Sequence, residues 1–159
     1  MTRYILLLIG VVCYTGNLMA ANWRPPERFL HAVRYVESSH GKFTYGDNGQ
    51  SLGDFQISEA AWHDVSEWRK QRQLRTYEYK THVWNRAINR AYAADYLTII
   101  YAELKKKLNR PPTVGEVYAA YNMGLGTFAQ CGYKLARVNP VTKKKVQQIK
   151  EIMRSAKTD

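Results

Sequence analysis

Apolar residues recur at intervals of three and four through residues 83–108, and this long helical pattern constrains the fold more than any other feature. The positions that follow it are Val83, Trp84, Ala87, Ile88, Ala91, Tyr92, Tyr96, Ile99 and Leu104. Such spacing is typical of an amphipathic helix. Lys105–Lys107 lie in its last turn, where cations interact favourably with the helix dipole. Because the apolar face of so long a helix needs other elements to cover it, we predict a mainly α fold.

Shorter helices are predicted on both sides of this segment. The same periodicity predicts them over residues 28–37, 59–68, 113–121 and 141–155. Ser58 is a suitable N-cap for the second of these helices, and Thr113 with Glu116 forms a capping box at the start of the third. No internal repeat marks a second domain, so residues 22–159 are predicted to form a single domain with a basic C-terminal helix.

Two segments depart from the helical pattern. Residues 38–52 are rich in glycine, asparagine, aspartate and serine, residue types that favour turns. They are predicted to form a small loop or a short β-hairpin. Residues 66–82 are polar and strongly charged, and their pattern favours neither helix nor strand.

The N-terminal residues 1–21 have the organisation of a secretory signal peptide. Arg3 precedes an apolar stretch that is too short to cross a bilayer, and small residues at Ala20 and Ala21 offer a cleavage site. We therefore expect export to the periplasm or the medium, with a retained N-terminal anchor as the alternative. Removal of this segment takes Cys13 away and leaves Cys131 as a single thiol. The fold must then depend on its hydrophobic core, since one cysteine forms no internal disulfide.

The formal net charge is +11, which predicts attraction to a polyanion. Outside the cytoplasm such a partner is an anionic cell-wall polymer, lipopolysaccharide or an acidic membrane surface. Charge alone also allows an exported nucleic-acid binder, although no nucleic-acid motif is present. The four histidines have no zinc-ligand spacing and there is no phosphate-binding glycine motif. We therefore predict neither a metal nor a cofactor, and we expect a monomer.

Five polar residues are candidates for a site that acts on a sugar polymer. Glu37 lies where an apolar helical face ends, and a poorly solvated carboxyl favours its protonated form, as a general acid requires; alternatively it is a solvated glutamate at a helix end. Asp47 follows in a glycine-rich turn that can fold back, so both carboxyls could face one cleft; alternatively it stabilises the turn. Gln56 stands among apolar residues and either braces a loop or binds a sugar. Tyr121 and Asn122 offer a ring and an amide at a helix end, or simply form a helix C-cap.

Three motifs in order carry a family resemblance. They are Glu37-Ser38, then Gly53-Asp54-Phe55-Gln56-Ile57, then Ala119-Ala120-Tyr121-Asn122-Met123-Gly124. Together they resemble the lysozyme-like superfamily, in particular SLT-type lytic transglycosylases and goose-type lysozymes. The segment 46–57 together with Trp62 is also similar to invertebrate-type lysozymes. The resemblance covers residues 28–127.

The resemblance implies a lysozyme-like fold whose cleft cuts peptidoglycan between N-acetylmuramic acid and N-acetylglucosamine. Glu37 matches the catalytic acid and Asp47 the second acidic residue. The resemblance implies substrate-binding roles for Ser51, Gln56 and the Tyr121-Asn122 pair. Ser51 lies near the position at which lytic transglycosylases have a substrate-contacting serine. The sequence departs from the family at Asp54, where an apolar residue is usual, at Met123, where a small residue is usual, and at Ser58, where goose-type enzymes carry a further aspartate.

Two reaction outcomes follow from these expectations, together with one rival function. If Asp47 reaches the cleft, water completes a hydrolysis and the chain is a muramidase. If Glu37 acts alone, the 6-hydroxyl of the sugar attacks and leaves a 1,6-anhydro product, as in lytic transglycosylases. The rival is a catalytically silent module that binds peptidoglycan.

Overall fold

Helices dominate the fold, which we describe from a computed structural model for residues 23–46 and 49–155. Seven α-helices occur in this part of the chain, together with a 3-10 turn at Leu135–Arg137. They are α1 (Glu27–Ser38), α2 (Glu59–Lys70), α3 (Tyr79–His82), α4 (Arg86–Leu108), α5 (Val114–Met123), α6 (Leu125–Gln130) and α7 (Pro140–Ser155). The predicted mainly α class is confirmed. The predicted signal peptide at residues 1–21 lies outside the described residues.

A small antiparallel sheet begins in the glycine-rich segment 38–52, for which a loop or hairpin was predicted, and its third strand lies beyond that segment. Its strands are β1 (Tyr45–Gly46), β2 (Ser51–Leu52) and β3 (Ile57–Ser58), with β2 in the centre. Ser51 pairs with Gly46 on one side and with Ser58 on the other. Because side chains alternate across a sheet, these three residues share one face, and Leu52 and Ile57 lie on the face towards the core.

The predicted helix starts are confirmed by their caps. The Ser58 hydroxyl accepts a hydrogen bond from the Ala61 amide at the start of α2, and Thr113 and Glu116 form the complete capping box of α5. Most boundaries lie within two residues of the predicted ones, and the start of the long helix differs most. The long helix begins at Arg86 rather than at residue 83, since the Asn85 side chain caps it, and Trp84 is 46% exposed instead of contributing to the apolar face.

The core lies between α4, α5 and the helices packed around them. Its largest fully buried side chains include Tyr92, Tyr118, Phe29, Phe55, Phe128, Leu97 and Ile100. Helix α5 is buried along most of its length and packs against α4, α6 and α7. This central position brings the C-terminal end of α5 next to α1 and α7, where the predicted site residues lie.

Asp54, one of the three departures from the family pattern, forms a partly buried ion pair. Its side chain is 5% exposed, and the Arg34 guanidinium on α1 contacts its Oδ2 at 2.7 and 2.9 Å. The Ser38 hydroxyl donates to the Asp54 carbonyl oxygen at 2.6 Å. Both contacts fasten the turn at residues 53–57 to the end of α1. Asp54 therefore has a structural role. It holds the Gly53–Ile57 motif in place against the Glu37-Ser38 motif.

None of the helices in the described part of the chain is long and apolar enough to cross a membrane.

Candidate functional site

A cleft of about 790 Å³ brings the predicted site residues together. Its lining includes Glu37, Ser51, Gln56, Tyr121 and Asn122. These residues come from the end of α1, the small sheet, the turn before β3 and the end of α5. Helix α7 supplies the opposite wall through Val141, Thr142 and Lys145. Five of the six predicted positions therefore line one cleft, and the sixth, Asp47, lies outside the described residues.

Glu37 lies in the last turn of α1 with its side chain 5% exposed. Both carboxyl oxygens have a donor. Oε1 accepts a hydrogen bond from the Tyr118 hydroxyl at 2.6 Å, and Oε2 forms an ion pair with the Lys145 ammonium at 2.9 Å. The carboxyl is thus held in one orientation at the wall of the cleft by side chains from α5 and α7.

Tyr118, one of the two donors to the Glu37 carboxyl, is fully buried and was not among the residues predicted from the sequence. Burial, reinforced by the nearby Glu37 carboxyl, raises the pKa of the Tyr118 hydroxyl far above its ordinary value. The phenol therefore stays protonated and always presents a donor to Glu37. One sequence signal could have identified it, since Tyr118 precedes the predicted Tyr121 by three residues and so shares its helix face.

Lys145 was missed as well, because it stands in a run of lysines typical of a solvated helix face. In the structure its side chain is 28% exposed, whereas Lys143 and Lys144 are exposed to solvent. No local pattern distinguishes Lys145 from these neighbours. Its partner Glu37 lies 108 positions earlier in the chain.

Gln56 braces the turn, which is the first of its two predicted roles. Its Nε2 donates to the Gly53 carbonyl oxygen at 2.8 Å and more weakly to that of Phe43 at 3.4 Å. Its backbone is left-handed, with φ of 49°. The amide oxygen lies against Gly46 in β1, where a Cβ atom would come within 1.9 Å of it. The side chain is therefore fixed between two strands at the edge of the cleft.

Tyr121 and Asn122 connect the end of α5 to both walls of the cleft. The Tyr121 hydroxyl donates to the Phe55 carbonyl oxygen at 2.6 Å, and burial raises the pKa of this hydroxyl well above its ordinary value. The Asn122 side-chain oxygen accepts from the Thr142 hydroxyl at 2.8 Å. The Tyr121 hydroxyl is therefore engaged by the turn at Phe55 rather than offered to the cleft.

The described lining carries one carboxylate and one ammonium. Among these residues Glu37 is the sole acid and Lys145 the sole lysine or arginine, and the remaining polar groups are hydroxyls, amides and backbone. Among the described residues, no group of three or more His, Cys, Asp or Glu side chains could hold a metal ion.

Comparison with protein-family models, with curated proteins and with solved structures found no match for this chain.

A nearly buried carboxyl with a permanent phenolic donor is suited to transfer a proton to or from a bound molecule. The hydroxyl and amide groups around it match the hydrogen-bonding groups of a sugar better than those of an apolar ligand.

Proposed function

We propose that the protein is an exported peptidoglycan-cleaving glycosidase of lysozyme-like fold, which cuts the β-1,4 bond between N-acetylmuramic acid and N-acetylglucosamine. The observation that carries the proposal is the position of Glu37. Its carboxyl, 5% exposed and oriented by Tyr118, is the one acid in the described lining of a polar cleft that also holds Ser51, Gln56 and Asn122. These four residues come from separate segments of the chain. The family resemblance implies a site role for each of them, and all four line the same cleft.

In the proposed reaction Glu37 first acts as a general acid. Its proton passes to the glycosidic oxygen, the bond from that oxygen to the anomeric carbon breaks, and the sugar becomes an oxocarbenium-like centre. Glu37, now ionised, then accepts a proton from the incoming nucleophile. Tyr118 stabilises the ionised form through its hydrogen bond to Oε1, which leaves Oε2 as the oxygen that exchanges the proton.

The nucleophile decides the product. Attack by water leaves a reducing end, and attack by the 6-hydroxyl of the same sugar leaves a 1,6-anhydro end. The candidate for a second carboxylate that directs water is Asp47, which directly follows the cleft residue Gly46 in the chain.

A peptidoglycan-binding module without catalysis is the second candidate, and one observation favours it. Both oxygens of Glu37 are engaged by protein donors, so neither is directed at a ligand in this conformation. The exposed lysines of α7 and of the end of α4 suit an anionic wall polymer under either proposal.

Mass spectrometry of digested peptidoglycan distinguishes these proposals. The full-length protein is incubated with purified sacculi beside the Glu37→Gln variant and a matched control, Glu103→Gln, which alters an exposed glutamate of α4. We expect muropeptides from the wild type and the control, with either reducing or 1,6-anhydro ends. Folded protein that binds sacculi and releases no Glu37-dependent product would contradict the enzyme and support the binding module.

Gly46→Ala is expected to lower glycan cleavage with little effect on folding. The new methyl group would displace the Gln56 amide, which is the movable end of a flexible side chain. Displacements of about 1 Å in a catalytic site cost up to roughly 100-fold in rate, so we expect a loss of roughly 10- to 100-fold in kcat/KM. Steady-state kinetics measure this loss and thermal unfolding checks the fold. Unchanged kinetics in the variant would show that Gln56 has no positioning role.

A further inference from the structure

The ion pair between Lys145 and Glu37 conflicts with a general acid that is ready to act. A lysine 2.9 Å from Oε2 stabilises the ionised carboxylate and occupies the oxygen that Tyr118 leaves open. Protonation of Oε2, and its approach to a glycosidic oxygen, both require the ammonium to move away.

The surroundings of Lys145 allow this movement. Helix α7 is fixed beside the cleft, because Asn139 caps it through the Thr142 amide and the Thr142 hydroxyl donates to Asn122. The Lys145 side chain, in contrast, has a flexible four-carbon stem and is 28% exposed along the cleft wall. Its ammonium has three donors, and Glu37 is its one hydrogen-bond acceptor among the described residues.

A negatively charged substrate group is the partner that Lys145 could exchange for Glu37. The described lining offers no other lysine or arginine to such a group, and an uncharged sugar offers the ammonium no replacement for a carboxylate. The muramic acid of peptidoglycan carries a lactyl carboxyl group, free or linked to peptides that bear carboxylates of their own.

We propose that Lys145 recognises a carboxylate of the substrate beside the scissile bond, and that its transfer from Glu37 to this carboxylate frees Oε2 for proton exchange. The second part rests on the function proposed above, whereas the first part concerns binding alone. Lys145 thus makes the cleft selective for glycans that carry an acid and keeps Glu37 engaged until such a glycan is bound.

A binding experiment tests the recognition independently of cleavage. The ligands are peptide-free peptidoglycan strands with free lactyl carboxylates and the same strands after conversion of these groups to methylamides. Calorimetry on the Glu37→Gln variant is expected to show about tenfold tighter binding of the carboxylate strands than of the methylamide strands. The reason is that the methylamide strands cannot form the charged hydrogen bond with the Lys145 ammonium. Adding Lys145→Met should remove this preference, adding Lys145→Arg should retain most of it, and adding Lys80→Met, which alters an exposed lysine of α3 outside the cleft, should leave it unchanged.

A kinetic experiment tests the release of Glu37. The wild type is expected to cleave the carboxylate strands about tenfold faster than the methylamide strands in kcat/KM, and Lys145→Met to cleave both at similar rates. Equal binding of both strands, or a preference that survives Lys145→Met, would overturn the inference. A Lys145-dependent binding preference without any cleavage would instead overturn the proposed enzyme and leave the recognition by Lys145 standing.

Discussion

Glu37→Gln is expected to lower peptidoglycan cleavage by roughly 1,000-fold. General acid–base catalysis contributes factors of this order, and a glutamine amide has no acidic proton to donate. The substitution keeps the size of the side chain and an oxygen that accepts the hydrogen bond from Tyr118. The initial rate of muropeptide release, measured with equal amounts of folded protein, gives the loss directly.

The fold of this variant is expected to be preserved. Lys145 loses its partner, but its side chain is 28% exposed and can turn into the cleft. We therefore expect a change of less than about 1 kcal/mol in the free energy of unfolding. Glu103→Gln is the matched control for both measurements, since Glu103 is exposed on α4. Cleavage by Glu37→Gln at a rate close to that of the wild type would show that Glu37 is not the acid.

Gly53→Ala is expected to destabilise the protein by roughly 3 kcal/mol, the combined cost of backbone strain and overpacking. Gly53 has φ of 77°, and a Cβ atom there would lie 2.7 Å from the Val83 carbonyl oxygen and 2.6 Å from the Asn89 side-chain nitrogen. Asn89 is fully buried, and its side-chain oxygen accepts a hydrogen bond from the Phe55 amide at 3.0 Å. The methyl group therefore pushes the turn away from α4 where the two are joined.

Thermal unfolding measures this effect, with an expected decrease of about 10 °C in Tm for a chain of this size. Gly126→Ala is the matched control. Gly126 lies in α6, where an added Cβ atom would meet nothing within 4 Å, and alanine favours a helix over glycine. The control is expected to leave Tm unchanged or slightly raised. A Tm for Gly53→Ala that matches the control would show that the turn tolerates a side chain there.

Local chemistry explains which parts of the fold can be predicted from the sequence. The caps at Ser58 and at Thr113 depend on groups within three residues of each other, and the structure contains both. Amphipathic periodicity is also a local property, and the predicted helices appear within a few residues of their expected bounds. The exception is the start of α4, where the Asn85 cap prevails over the continued apolar spacing of Val83 and Trp84.

The site is predictable in part for the same reason. Glu37, Gln56 and Tyr121 lie in short motifs, and the fold brings them to one cleft. The partners of Glu37 could not be predicted in this way, because Tyr118 and Lys145 lie 81 and 108 positions further along the chain. Their pairing depends on how α5 and α7 pack against α1.

The position of α7 also sets the order in which the cleft can form. Glu37 belongs to the first helix of the described chain, whereas Thr142 and Lys145 belong to the last. A ribosome therefore makes the acid before the opposite wall of its cleft, because Lys145 follows Glu37 by 108 positions. Glu37 lacks the Lys145 ammonium as a partner until α7 packs against the core through its buried apolar side chains, so the cleft is complete only after α7 has been made and has packed.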